Sequence, residues 1–208
     1  MTHVTLVRHG RTAWHDPTRY AGDTDVPLDD VGVAQAAALG AWAADRGFTS
    51  LTCSDLTRAA DTAAAVAATT GLVPVVDPRL REPHFGLAEG RSVAELRAAE
   101  PELSVLFDED PAAYVWPGAE PASTVAARGA AAVHDVVARD GAVDPAPLVV
   151  AHSTLLRLVL CLFLGLPLSQ YRRALPRLDP ATLTEVVVRP DGTVGLLRYN
   201  APFAGWSA

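Results

Sequence analysis

In the stretch "HVTLVRHGRT", Arg8 and His9 stand side by side directly after an apolar run, with Gly10 next. A cation and an imidazole at a strand end fit three situations: a solvated end, a metal ligand, or a histidine that reacts while an arginine holds an anion beside it. Three further stretches place residues of related chemistry: Ser54 and Arg58 in "SDLTRAADTA", Glu82 in "RLREPHFGLAEG", and His152 in "LVVAHSTLLR". Arginine presents a fixed fork of donors to phosphate or carboxylate oxygens. A neutral imidazole nitrogen is a nucleophile near pH 7 that needs no prior deprotonation. Taken singly, each residue has a plainer role as a solvated charge or a hydrogen-bonded structural histidine, so what matters is whether the fold brings them together.

The elements that would do so are legible. "HVTLVR" alternates and reads as a strand over 3–8, running into the turn-rich "DPTRYAGDTDVP". Asp29 is placed to cap a following helix. "SLTCS" (50–54) reads as a second strand with an alanine-rich helix behind it that stops at Gly71, and "LVPVVD" reads as a third strand. A loop over 77–90 precedes short helices broken by Pro101 and Pro111. A longer helix capped near Ser123 leads to "PLVVA" (147–151), an apolar run with the character of a strand buried on both faces. An apolar helix over 154–164 follows, then a hairpin around Pro190-Asp191-Gly192.

Strands alternating with helices imply an α/β fold: a three-layer α/β/α sandwich, mainly parallel, with the hairpin adding an antiparallel edge. Open sheets of this kind bind ligands at the carboxyl ends of their strands, where the next helices begin. Arg8, His9, Ser54, Arg58 and His152 would all meet at that edge, which suits an anion.

Composition narrows the chemistry. The chain of 208 residues carries 24 acidic and 17 basic side chains, a net charge of −7, without a basic block, so nucleic acid is not an expected partner. All 17 basic residues are arginine, which rules out a Schiff-base lysine or a P-loop lysine. Cys53 and Cys161 each sit in an apolar stretch and read as two buried thiols rather than a disulfide framework. No apolar run reaches the roughly 18 to 20 residues that span a bilayer, and the start lacks signal-peptide order. The expectation is one domain over 1–208, cytoplasmic, with no membrane partner.

"LVRHGRTAW" resembles the Arg-His-Gly signature of the histidine phosphatase superfamily, in the branch that includes cofactor-dependent phosphoglycerate mutases. The resemblance continues in order through "GDTDVPLDDVGVAQAAALG", "SDLTRAADTA", "RLREPHFGLAEG" and "LVVAHSTLLR", covering residues 4 to about 160. It implies that His9 is the nucleophile, that Arg8, Arg58 and His152 clamp the phosphoryl group, that Glu82 is the general acid and base, and that no cofactor or metal is needed.

Departures from the pattern are informative. His15 stands where the family usually has asparagine, and Ala21 precedes Gly22 where a polar residue is common. Ser153 follows the second histidine where glycine is frequent. His15, Gly22 and Ser153 are therefore candidate phosphate or substrate contacts, with a pH-dependent charge expected at His15. "PGAEP" (117–121) is similar to a segment of smaller phosphatase members. Trp14, Tyr20 and Trp116 are candidates to line the entrance, with ordinary packing expected for at least one of them, whereas His3, His84 and His134 have no matching role.

A short tail and no long insertion favour hydrolysis of a small phosphorylated metabolite over mutase-type transfer. Alternatives are a catalytically silent phosphate-ligand or protein-binding module on the same fold, and a metal-dependent hydrolase, against which stands the lack of ligand-spaced histidine pairs. The apolar tail or the hairpin offers a surface for a homodimer.

Overall fold

The structure is a computed structural model and describes residues 1–204. Six strands form one sheet: β1 (Thr2–Arg8), β2 (Ser50–Cys53), β3 (Pro74–Val76), β4 (Pro147–Ala151), β5 (Leu183–Val188) and β6 (Val194–Ala201), in the order β3-β2-β4-β1-β5-β6. β1 to β4 run parallel, β5 pairs antiparallel with β1, and β6 closes the edge antiparallel to β5. The expected α/β fold with an antiparallel hairpin edge is what the chain adopts.

β4 is the centre of the sheet, and its five residues are all buried. Leu148 and Val150 join Val7, Leu51 and Ala63 on one face; Val149 and Ala151 join Val4, Leu6 and Leu155 on the other. A strand covered on both faces cannot alternate with polar residues, which explains the unbroken apolar run. Each buried leucine or valine there contributes about 1.5–3 kcal/mol relative to exposure.

The first face is covered by α1 (Asp30–Ala43) and α2 (Thr57–Thr70), the second by α5 (Ala122–Arg139) and α6 (Ser153–Phe163). Asp29 caps α1 by accepting from the N–H of Gly32 at 2.8 Å. The cap expected near Ser123 is displaced: Pro121 occupies the N-cap position of α5 without a side-chain bond, and Ser123 lies within the first turn. The extended φ of −60° at Pro121 already directs the chain into the helix. The third strand is shorter than expected, because Leu72 and Val73 lie outside the ladder.

The short helices α3 (Val93–Ala99) and α4 (Pro101–Glu109) meet at Glu100, and Pro101 starts the second rather than merely breaking the first. They build a small separate core of Phe85, Leu96, Phe107 and Trp116, packed against Tyr20. The last helix, α7 (Tyr171–Ala174), packs beside α6. Phe203 folds back onto Trp42, ring centres 5.7 Å apart, so this part of the apolar tail covers its own subunit. The rest of the tail, 205–208, lies outside the described residues.

Candidate functional site

The strand ends deliver the site. Past the last ladder residues, the His9 N–H donates to Ala151 O at 2.9 Å and the Ser54 N–H to Val150 O at 3.1 Å, so both segments remain registered on β4. His9 and His152 follow adjacent strands, and their rings lie 5.0 Å apart.

His9 is buried, 5 % exposed. Its Nδ1 lies 2.6 Å from Gly10 O, and a carbonyl only accepts, so the proton sits on Nδ1 and the Nε2 lone pair is free. Burial, with His152, Arg58 and Arg8 nearby, holds the imidazole well below its ordinary value of 6.5, so the ring is neutral at pH 7. Gly10 makes this turn possible: a Cβ there would fall 2.7 Å from Gly32 O at the start of α1. Arg11 locks the same junction, with its N–H on Gln35 Oε1 (2.7 Å) and its Nε on Asp29 (2.8 Å).

Arg8 is aimed by Leu178 O (2.6 Å) and by His15 Nε2 (2.6 Å). Arginine only donates, so His15 Nε2 accepts and Nδ1 carries the proton, within 3.0 Å of Thr12 Oγ1. Burial and the Arg8 charge push His15 down to about 4. His15 is therefore a neutral acceptor at pH 7 that orients Arg8, and its charge changes with pH only around that lower value.

Arg58 is 1 % exposed and lies in the first turn of α2. It donates to Thr24 O (2.9 Å) and Gly22 O (2.6 Å). Gly22 has φ +53°, and a Cβ would meet Glu89 Oε1 at 1.6 Å. Glu89 gathers the Phe85 N–H (2.8 Å), the Asp23 N–H (3.3 Å) and the Thr24 N–H (3.2 Å). The motifs carried no signal for this role of Glu89.

Glu82 is buried and accepts the N–H groups of Thr154 (2.8 Å) and Leu155 (3.3 Å) at the start of α6. Its loop is clasped from two sides. Arg81 grips Asp55 through two contacts of 2.7 Å, and Arg128 of α5 donates to the carbonyls of Arg79 and Arg81 while paired with Glu120 of "PGAEP". A sequence search could have noticed Glu120 in that segment; Arg128 gave no hint.

His152 is fully buried at the N-cap position of α6. Burial and the charges of Arg58 and Arg8 keep it well below 6.5. Neither ring nitrogen, nor Nε of Arg8 or Arg58, has a hydrogen-bond partner among the described residues. Leaving such groups unpaired in a protein interior costs about 1–3 kcal/mol each, and the donors among them, the His152 ring N–H and the two Nε–H groups, suit one shared anion.

Arg8, His9, His15, Gly22, Arg58, Glu82 and Ser153 all border one cavity of about 140 Å³, with Trp14 and Tyr20 at its wall. Trp116 does not reach it; it is buried against Phe107. Among the described residues, ligand-type side chains gather only at Asp23, His84 and Glu89, where His84 is ion-paired to both carboxylates at 2.8 and 3.3 Å.

Residues 4–201 match the family model of the histidine phosphatase superfamily, branch 1. The chain belongs to that superfamily. "Probable phosphoglycerate mutase GpmB" of Yersinia pestis is 33 % identical over 186 residues, 89 % of this chain and 85 % of its relative. The mycobacterial glucosyl-3-phosphoglycerate phosphatase, solved with VO3, is 32 % identical with TM-score 0.89, covering 97 % of this chain and 100 % of the other. YhfR of Bacillus stearothermophilus is 28 % identical with TM-score 0.87, over 97 % and 98 % of the two chains. Phosphatases are thus among this superfamily member's structural neighbours. Among the described residues no helix is long and apolar enough to cross a membrane.

Proposed function

We propose that the chain is a phosphomonoester hydrolase that passes the phosphoryl group of a small phosphorylated metabolite first to His9 and then to water. The observation that carries this reading is the hydrogen bond from His9 Nδ1 to Gly10 O, which leaves Nε2 as a free, buried lone pair facing Arg8, Arg58 and His152.

In the first step the Nε2 lone pair forms the N–P bond while the ester P–O bond breaks. Its electrons leave on the alkoxy oxygen, which takes a proton from Glu82. In the second step Glu82 accepts a proton from water as its oxygen attacks phosphorus. The N–P bond breaks, its electrons return to Nε2, and inorganic phosphate departs.

Positioning and charge are what such a transfer needs from a protein. Arg8 and Arg58 would face the equatorial oxygens, and His152 would donate its ring N–H to one of them. His15 would act through Arg8, while Gly22 shapes the loop and Ser153 borders the oxygens from the helix start. No step calls on a metal.

The experiment is release of phosphate from 4-nitrophenyl phosphate in the presence of chelator, with the wild type and His9→Ala. Release by the wild type and its loss in the variant are expected. Equal release by both would remove His9 as nucleophile. A wild type that binds phosphate without turnover would favour a silent binding module, and transfer to an added alcohol in preference to water would indicate a mutase.

A further inference from the structure

Beside the phosphoryl cavity lies a larger one of about 610 Å³. The two are continuous, since Arg8, Tyr20, Ser153 and Thr154 border both. The larger cavity is strongly cationic: Arg19, Arg157, Arg172 and Arg177 face it along with Arg8, against the single carboxylate of Asp179. Such a concentration stands out in a chain whose net charge is −7.

Two of these cations are already neutralised. Arg19 pairs with Glu95 at 2.9 Å and Arg177 with Asp179 at 2.6 Å. The other two are held differently. Arg157, half-buried on α6, lies over the Tyr171 ring at 5.0 Å and donates to Leu175 O at 3.2 Å and to Ser153 O at 3.4 Å. Arg172 on α7 stacks over Phe107 at 5.1 Å and approaches Asp108 only to 3.8 Å. Aromatic faces, and two carbonyls at Arg157, fix the guanidinium planes, while the one carboxylate near either, Asp108, is held more closely by Arg97 at 2.9 Å, which leaves both cations preorganised for an anion.

We propose that the substrate carries a second anionic group, a carboxylate or a further phosphate, that Arg157 and Arg172 hold in this cavity while its phosphoryl ester sits over His9. The proposal rests on the hydrolase reading and adds the class of substrate. A neutral polyol tail would fill the same volume but, as it displaced their water, would leave Arg157 without a counter-charge and Arg172 with only the distant, shared Asp108.

The test compares three three-carbon esters that differ in the tail: glycerol 3-phosphate, 3-phosphoglycerate and propane-1,3-diyl bisphosphate. The wild type should show kcat/KM at least ten-fold higher, through KM, for one or both anionic-tail esters, and which of them prevails identifies the anion. Arg157→Gln and Arg172→Gln should each lose about ten- to hundred-fold on the anionic-tail ester, and much less on glycerol 3-phosphate. Equal kcat/KM for all three in the wild type, or equal losses across them in the variants, overturns the proposal. If the wild type hydrolyses neither these esters nor 4-nitrophenyl phosphate, the hydrolase reading fails by itself. Calorimetric binding of the same esters then decides the cavity: tighter binding of an anionic tail, lost in Arg157→Gln, supports it, and equal binding refutes it.

Discussion

Acid should destabilise this protein well before its carboxylates protonate, because two buried histidines and a half-buried third are held in neutral form around two arginines. His15 is pushed down to about 4, and His9 and His152 lie well below the ordinary 6.5. The unfolded chain binds protons at these rings near pH 6.5 and the folded chain does not, so the histidine contribution is whole above pH 6.5 and is lost as pH falls toward the folded values. For one histidine with values of 6.5 unfolded and about 4 folded, the loss between pH 7 and pH 5 is about 2 kcal/mol. His9 and His152, lowered in the same direction, add to this loss. Urea denaturation at pH 7, 6 and 5 in low salt, followed by tryptophan fluorescence, measures this directly. His15→Asn keeps a polar partner for Arg8 but removes one titrating ring, so its stability should fall by about 2 kcal/mol less between pH 7 and pH 5. Stability that stays level from pH 7 to pH 5, or identical slopes in wild type and variant, would refute the assignment of neutral buried rings.

Two further outcomes follow from the site's supports. Gly22→Ala must adopt φ +53° with a Cβ on top of the Glu89 carboxylate, so thermal or urea unfolding should show a loss of about 2–4 kcal/mol, with turnover falling further because the carbonyls that seat Arg58 move. Wild-type stability and turnover in that variant would show that the 22–24 loop does not hold the arginine. Glu82→Gln should slow turnover about 10²- to 10⁴-fold for an alkyl phosphate, and less for the first step with 4-nitrophenyl phosphate, whose leaving group needs little protonation. Equal slowing of both first steps would remove Glu82 as proton donor.

The parts of the molecule that were legible in the sequence share a physical cause: each was written in local pattern. "PLVVA" is apolar throughout because both its faces are covered, and Asp29 caps a helix whose start it precedes by one residue. Arg8, His9, Arg58, Glu82 and His152 were legible because each falls within its own motif at a strand end, helix start or loop. What escaped notice acts across the chain. Glu89 organises a loop some 65 residues earlier, and Arg128 reaches back 47 and 49 residues to two carbonyls; neither contact has a local signature. Which of the three aromatics would be packing was not legible, because an aromatic residue near a binding loop reads alike whether it lines a cleft or fills a core; the packing of α4 puts Trp116 in the core. The part His15 plays as an acceptor for Arg8 had no local signature, because the two side chains meet only in the folded turn.

Arg8 leaves one consequence for the order in which the protein comes into being. Its guanidinium is aimed by Leu178 O, and its own carbonyl receives the Ala181 N–H at 3.0 Å, just before β5 slides in beside β1. His9, Arg58, Glu82 and His152 all precede that segment in the chain and are synthesised before it. A growing chain can therefore own every reactive side chain and still have an unaimed first arginine, and competence for phosphate arrives only as the final hairpin docks.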